Sequence, residues 1–194
     1  MKKRLFLALT VGLLLSACEP AAPVFKGIEL TGAEYARGFN MKDIDGHSRT
    51  LDEFKGKVVV VFFGYTQCPD VCPTTMAELA QVKKSLGADG DKVQGIFITV
   101  DPERDTPELL KAYLASFDKS FIALRGSDDE TRIAAKEFMA FYAKVPGKEA
   151  GSYSMDHTAA SYIFDPQGRI RLFEKYGLGP QALADDVKAL LAGH

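Results

Sequence analysis

The chain has 194 residues, 26 acidic against 24 basic, and a formal net charge of −2. That length suits one domain with a full-sized core. Beyond its first four residues the chain has no basic cluster, so the composition gives no footing for nucleic-acid binding.

Residues 1–17 read as a signal peptide. Lys2, Lys3 and Arg4 form a positive start, and Leu5 to Leu15 form an apolar run too short for a comfortable membrane span. Leu15-Ser16-Ala17-Cys18 resembles a bacterial lipobox, which makes Cys18 the lipidated first residue of the mature chain. Losing the three positive charges takes the formal charge from −2 to −5. Residues 18–37, with Pro20 and Pro23, read as a tether, and 38–194 as the folded domain. The expected setting is extracytoplasmic and membrane-anchored, on the periplasmic side in a Gram-negative cell, where thiols meet oxidants. One of the three cysteines is thereby assigned to anchoring, and two remain for chemistry.

From Phe39 the pattern is strand, turn, strand about Asp45-Gly46. Leu51 to Phe54 make a short turn. The run VVVVFF from Val58 is expected of a central strand covered on both faces. Gly64 and Tyr65 end it, and a polar loop holds Cys68 and Cys72. Pro73 falls in the first turn of a helix with Met76, Leu79 and Val82 on one side. Gly87 and Asp89-Gly90-Asp91 break the pattern before a second buried strand, Val93 to Val100, which Asp101-Pro102 ends. Asp105-Thr106-Pro107-Glu108 reads as a helix start with Asp105 as its cap. Leu109, Leu110, Tyr113, Leu114 and Phe117 follow at helical spacing. Phe121 to Leu124 looks like a short third strand. Ser127 to Glu130 is a capping box that opens a helix carrying Ile133, Ala134, Phe138 and Phe141. Lys144 to Gly151 reads as a loop. Strands Ala159 to Phe164 and Arg169 to Phe173 flank the turn Asp165-Pro166-Gln167-Gly168, and Gly179-Pro180 opens a last helix. Alternating strands and helices that close in an antiparallel hairpin predict an α/β fold. It is a thioredoxin-like mixed sheet flanked by helices, with an extra N-terminal β-hairpin.

Cys68 and Cys72 lie where a buried strand hands over to a helix. The N–H groups of a helix N-terminus stabilise thiolates there. A structural disulfide, a redox pair, a metal site and two unpaired core cysteines are the competing readings. A loop this short removes little unfolded-state entropy, which weakens the first, and the polar neighbours Gln67 and Asp70 weaken the last. His157, just before a strand, bears on the other two. Thioredoxin-like oxidoreductases carry a Thr-Pro step at the corresponding place, and this chain has Asp156-His157-Thr158. Thiol exchange gains little from an imidazole there, whereas a metal gains a third ligand suited to copper.

The stretches Gly64-Tyr65-Thr66-Gln67-Cys68-Pro69-Asp70-Val71-Cys72-Pro73, Thr99 to Pro107 and Asp156-His157-Thr158, in that order, resemble the SCO1/SenC family. The likeness runs from about Gly38 to Leu191. It implies a copper-binding assembly factor for cytochrome c oxidase, with Cys68, Cys72 and His157 as ligands for copper(I) and copper(II). The implied acceptor is the CuA centre of oxidase subunit II, and other copper chaperones or thiol-disulfide reductases are further expected partners. Many members are anchored by a transmembrane helix, whereas this chain looks lipidated at Cys18. Asp156 and Asp101 are candidates to support the ligands from behind. Met155 is the one methionine close enough in sequence to His157 to test, while His47 and His194 read as bystanders. The expected role is metal carriage without turnover. The alternative is a thiol-disulfide reductase using the same two cysteines. A thiol peroxidase is a weaker third, because no arginine stands in the Cys68–Cys72 loop.

Overall fold

The computed structural model describes residues 24–194, so the signal peptide, Cys18 and most of the expected tether lie outside the described residues. In chain order the strands are β1 (Ile28–Glu29), β2 (Asn40–Lys42), β3 (Ser48–Thr50), β4 (Val58–Gly64), β5 (Val93–Thr99), β6 (Ile122–Leu124), β7 (Tyr142–Pro146), β8 (Tyr153–His157), β9 (Ala160–Phe164) and β10 (Ile170–Lys175). The helices are α1 (Val71–Ser85), α2 (Pro107–Ala115), α3 (Asp128–Glu137) and α4 (Pro180–Leu191). Six strands form the main sheet in the order β1-β10-β9-β4-β5-β6. β4, β5 and β6 run parallel, while β9, β10 and β1 are antiparallel. This is the thioredoxin-like mixed sheet expected.

Every residue of β4 and β5 is buried, as an apolar run covered on two faces requires. Alternate residues serve opposite faces. Phe62 packs on Phe97, which meets Tyr113 of α2, whereas Phe63 meets Phe138 at the end of α3 and Tyr162 of β9. The N-terminal hairpin is present, with Gly46 at φ 87° in its turn.

Four local expectations change. Part of the stretch read as tether belongs to the fold. Ile28 pairs with Phe173 of β10, and Asp186 of α4 accepts the N–H groups of Lys26 and Gly27. Two exposed residues of strand carry no hydrophobic alternation to announce them. The Lys144–Gly151 loop is half strand, since β7 pairs with β8 from Tyr142↔His157 to Pro146↔Tyr153. This hairpin is a separate sheet in which Met155 is the one buried strand residue, so its sequence shows no apolar alternation. Third, α3 stops at Glu137 and Met139 takes φ 53°. Phe141 therefore leaves the helix, and both it and Ile133 are exposed. Finally, the cap of α2 is Thr106, whose side chain accepts from the N–H of Leu109; Asp105 is used elsewhere.

One buried acid sets a pH dependence. Glu174 on β10 is 8% exposed, and its Oε2 has no hydrogen-bond partner among the described residues. Burial, then Asp186 and Glu78, push its carboxyl up to about 8 from the usual 4.5. The folded state thus holds a proton that the unfolded state has released. This contribution favours folding fully below about pH 4.5 and is lost as pH rises to about 8. Denaturant unfolding of Glu174→Gln at pH 6 and pH 9 should show a smaller loss than wild type. The difference is on the order of a few kcal/mol.

Candidate metal centre

The cysteine loop occupies the C-terminal end of β4, the sheet edge where parallel α/β folds gather their functional groups. α1 begins at Val71, so Cys72 lies in its first turn and is fully buried, while Cys68 in the loop ahead is half-buried. The N–H of Cys72 points at Cys68 Sγ, 3.4 Å away. Gly64 makes room for this seat: a Cβ there would stand 2.8 Å from Cys72 Sγ, 2.8 Å from the Phe62 ring and 3.0 Å from the Phe97 ring.

His157 ends β8 and arrives from 85 residues away, with Nε2 3.4 Å from Cys72 Sγ. The edges of Phe62 and Tyr65 hold its ring in T-shaped contacts at 5.7 and 6.0 Å. Nδ1 lies 3.2 Å from the carbonyl oxygen of Thr158. A carbonyl only accepts, so Nδ1 carries a proton there, and Nε2 is the ring atom turned to the sulfurs. The two Sγ atoms and one imidazole nitrogen all lie within 4.8 Å of one another, the one such cluster of metal-binding groups among the described residues. Cys68 and His157 border an open cavity of about 290 Å³ shared with Tyr65, Pro69, Met155 and Ala159, with Cys72 buried behind them. A larger groove of about 590 Å³ lies away from it, between the N-terminal hairpin and α3, lined by Met41, Ile133 and Glu137.

The two thiols are not equivalent. A hydrogen bond with Cys72, another with His157, and the N–H groups of Asp70 and Cys72 pull the Cys68 thiol down to about 4, against the cost of burial. Cys72 is pushed up, because it is the partner that keeps its proton and because it is buried. The site thus pairs one thiolate with one thiol, beside Nε2 of the imidazole. That set of soft and borderline donors suits copper or zinc rather than magnesium or calcium.

Of the supporting residues expected, Asp156 is exposed. It lines the same open cavity, but the Thr158 carbonyl is what orients the imidazole. Asp101 is 3% exposed and reaches the site only indirectly, through Arg104 and the Tyr153 hydroxyl. Met155 is buried against the cavity, two residues before His157 on the same strand. His47 lies beside Asp43 in the distant hairpin, and His194 is the last residue.

Two residues gain roles here that their local sequence does not give them. Asp105, fully buried, accepts from the Thr66 N–H and hydroxyl and from the Thr99 hydroxyl, pinning the start of the cysteine loop to the end of β5. Burial raises its carboxyl. Arg104 reaches the loop from the β5–α2 connection and bonds Gln67, not Cys68. Both stand inside the Thr99–Pro107 stretch, which was the available signal.

A family model described as SCO1/SenC matches residues 29–192. A SCO2-like protein of Rickettsia felis is 33% identical over 160 residues, covering 81% of this chain and 78% of its own. Among solved structures, Bradyrhizobium japonicum ScoI with copper bound is 43% identical with a TM-score of 0.70, covering 78% of this chain and 96% of that one. BsSco, a member of the Sco family of cytochrome c oxidase assembly proteins with an identified disulfide switch, is 25% identical with a TM-score of 0.62. It covers 88% of this chain and 99% of its own.

Proposed function

The chain belongs to the SCO1/SenC family, and on that footing we propose that it is an extracytoplasmic copper chaperone. Its acceptor in this reading is the CuA centre of cytochrome c oxidase subunit II during assembly, and Cys18 supplies a lipid anchor to the membrane. The observation that carries the reading is the convergence of Cys68, Cys72 and His157 within 4.8 Å. Two thiolates hold copper(I), and the imidazole adds the nitrogen that copper(II) favours. Three ligands beside an open cavity leave room for an acceptor's thiolate to enter before one of the chaperone's own departs. Copper thereby moves by stepwise ligand exchange and is never free.

The test is a titration of the reduced, metal-free protein with copper(II) and with copper(I), in wild type and His157→Ala. One equivalent of each ion should bind wild type. The variant should lose the thiolate-to-copper(II) charge-transfer band and keep copper(I). Equal oxidation of the dithiol to a disulfide by copper in both proteins would refute the chaperone reading.

One observation favours a second role. Cys68 is half-exposed and held as a thiolate, with Cys72 buried behind it as a resolving thiol. That is the order of attack in a thiol-disulfide reductase, whose target would be the disulfide form of the CuA cysteines. In that role, His157→Ala should leave the reduction rate of a disulfide substrate within about threefold, because the imidazole forms no bond in the exchange.

A further inference from the structure

The metal ligands come from two segments, which the pairing of β9 with β4 brings side by side. The cysteines follow β4, whereas His157 stands on the β7–β8 hairpin, a separate two-stranded sheet. One side chain touches both. Arg104 Nη1 donates to Gln67 Oε1, next to Cys68, at 3.1 Å, and to the carbonyl oxygen of Tyr153, the first residue of β8, at 2.8 Å. Its Nε donates to the buried carboxylate of Asp101. The guanidinium lies 3.6 Å from the centre of the Tyr153 ring, and the Tyr153 hydroxyl donates to the other Asp101 oxygen at 2.9 Å. Lys144 of β7 approaches the same ring at 3.9 Å and pairs with Glu103. The hairpin is thus fastened to residues 101–104, and through Arg104 to the cysteine loop.

We propose that Arg104 is a positioning residue that sets the separation between the two sulfurs and the imidazole, and so tunes the site for copper(II). This rests on the copper reading above. Copper(I) is satisfied by the two thiolates, which the loop and α1 hold without the hairpin. Copper(II) draws on the nitrogen and therefore on where the hairpin sits. A lysine keeps the charge but has neither the planar fork that bonds two acceptors at once nor the flat face that stacks on tyrosine.

The experiment titrates copper(I) and copper(II) into the reduced full-length protein, in wild type, Arg104→Lys and Gln67→Ala, with thermal unfolding as the check on folding. Arg104→Lys should weaken copper(II) binding about 10- to 100-fold, with a shifted charge-transfer band and altered nitrogen hyperfine structure in the electron paramagnetic resonance spectrum. Copper(I) binding should stay within about threefold. Gln67→Ala, at an exposed position, cuts the link on the cysteine side and should reproduce the selectivity even if Arg104→Lys is unstable. A folded variant that loses both ions alike, or neither, overturns the positioning role while leaving the copper reading in place. Wild type that takes neither ion overturns both.

Discussion

Cys72→Ser should cost copper affinity in both oxidation states, by at least about two orders of magnitude, in contrast to the copper(II)-only defect of His157→Ala. The substitution exchanges a soft sulfur for a hard hydroxyl that stays protonated at neutral pH. It leaves copper(I) with one thiolate and a borderline nitrogen. The position is fully buried, yet serine fits it: it is no larger than cysteine, and its hydroxyl finds Cys68 and His157 as partners within the same cluster. The fold should therefore survive, and the loss should be one of ligation. Competition for copper(I) against a coloured chelator, with thermal unfolding of the metal-free proteins alongside, separates the two. A variant that competes for copper(I) as well as wild type would exclude Cys72 as a ligand.

Gly64→Ala should damage stability and metal binding together. The added methyl would stand 2.8 Å from both Cys72 Sγ and the Phe62 ring, and 3.0 Å from Phe97. The two rings are fully buried between strands that are themselves buried along their whole length. Close-packed interiors give way little, so the Cys72 side chain is the group that moves. Overpacking of this kind costs about 1–3 kcal/mol, to be read from urea unfolding of the metal-free protein. Displacing one sulfur from a three-ligand cluster should lower copper(I) affinity by about tenfold or more, since a site works only within about half an ångström of its productive geometry. The link between the two effects is diagnostic. A variant that is destabilised yet binds copper normally would show that the rings, and not Cys72, take up the strain.

What sequence reasoning reaches in this protein follows from where each signal lives. β4, β5, β9 and α1 are legible because their apolar residues are continuous or periodic, and burial demands that pattern. The two cysteines with a distant histidine are legible because few other arrangements use those residue types together. β1 and β7 are not, since their exposed side chains leave no pattern to read. Asp105 misleads for a different reason. Beside Thr106-Pro107 it has every local mark of a helix cap, but its partners Thr66 and Thr99 are brought to it by the parallel pairing of β4 with β5. Arg104 is the same case, a residue whose neighbours come from three segments and whose role exists only once the hairpin has folded over. Asp156 shows the converse: adjacent to a ligand in sequence, it is exposed, and the imidazole is held by the Thr158 carbonyl instead.

The proposed role of this site is to hand copper on. It is tested most directly by mixing the copper-loaded protein with the reduced, metal-free soluble CuA domain of oxidase subunit II and following the visible spectrum of the acceptor. The CuA spectrum should grow in step with loss of copper from this protein, and Cys72→Ser protein, which keeps no copper through the same loading and desalting, should give none. No transfer from the copper-loaded protein, together with rapid reduction of the acceptor's disulfide by the metal-free dithiol, would contradict it and leave the reductase as the function of Cys68 and Cys72.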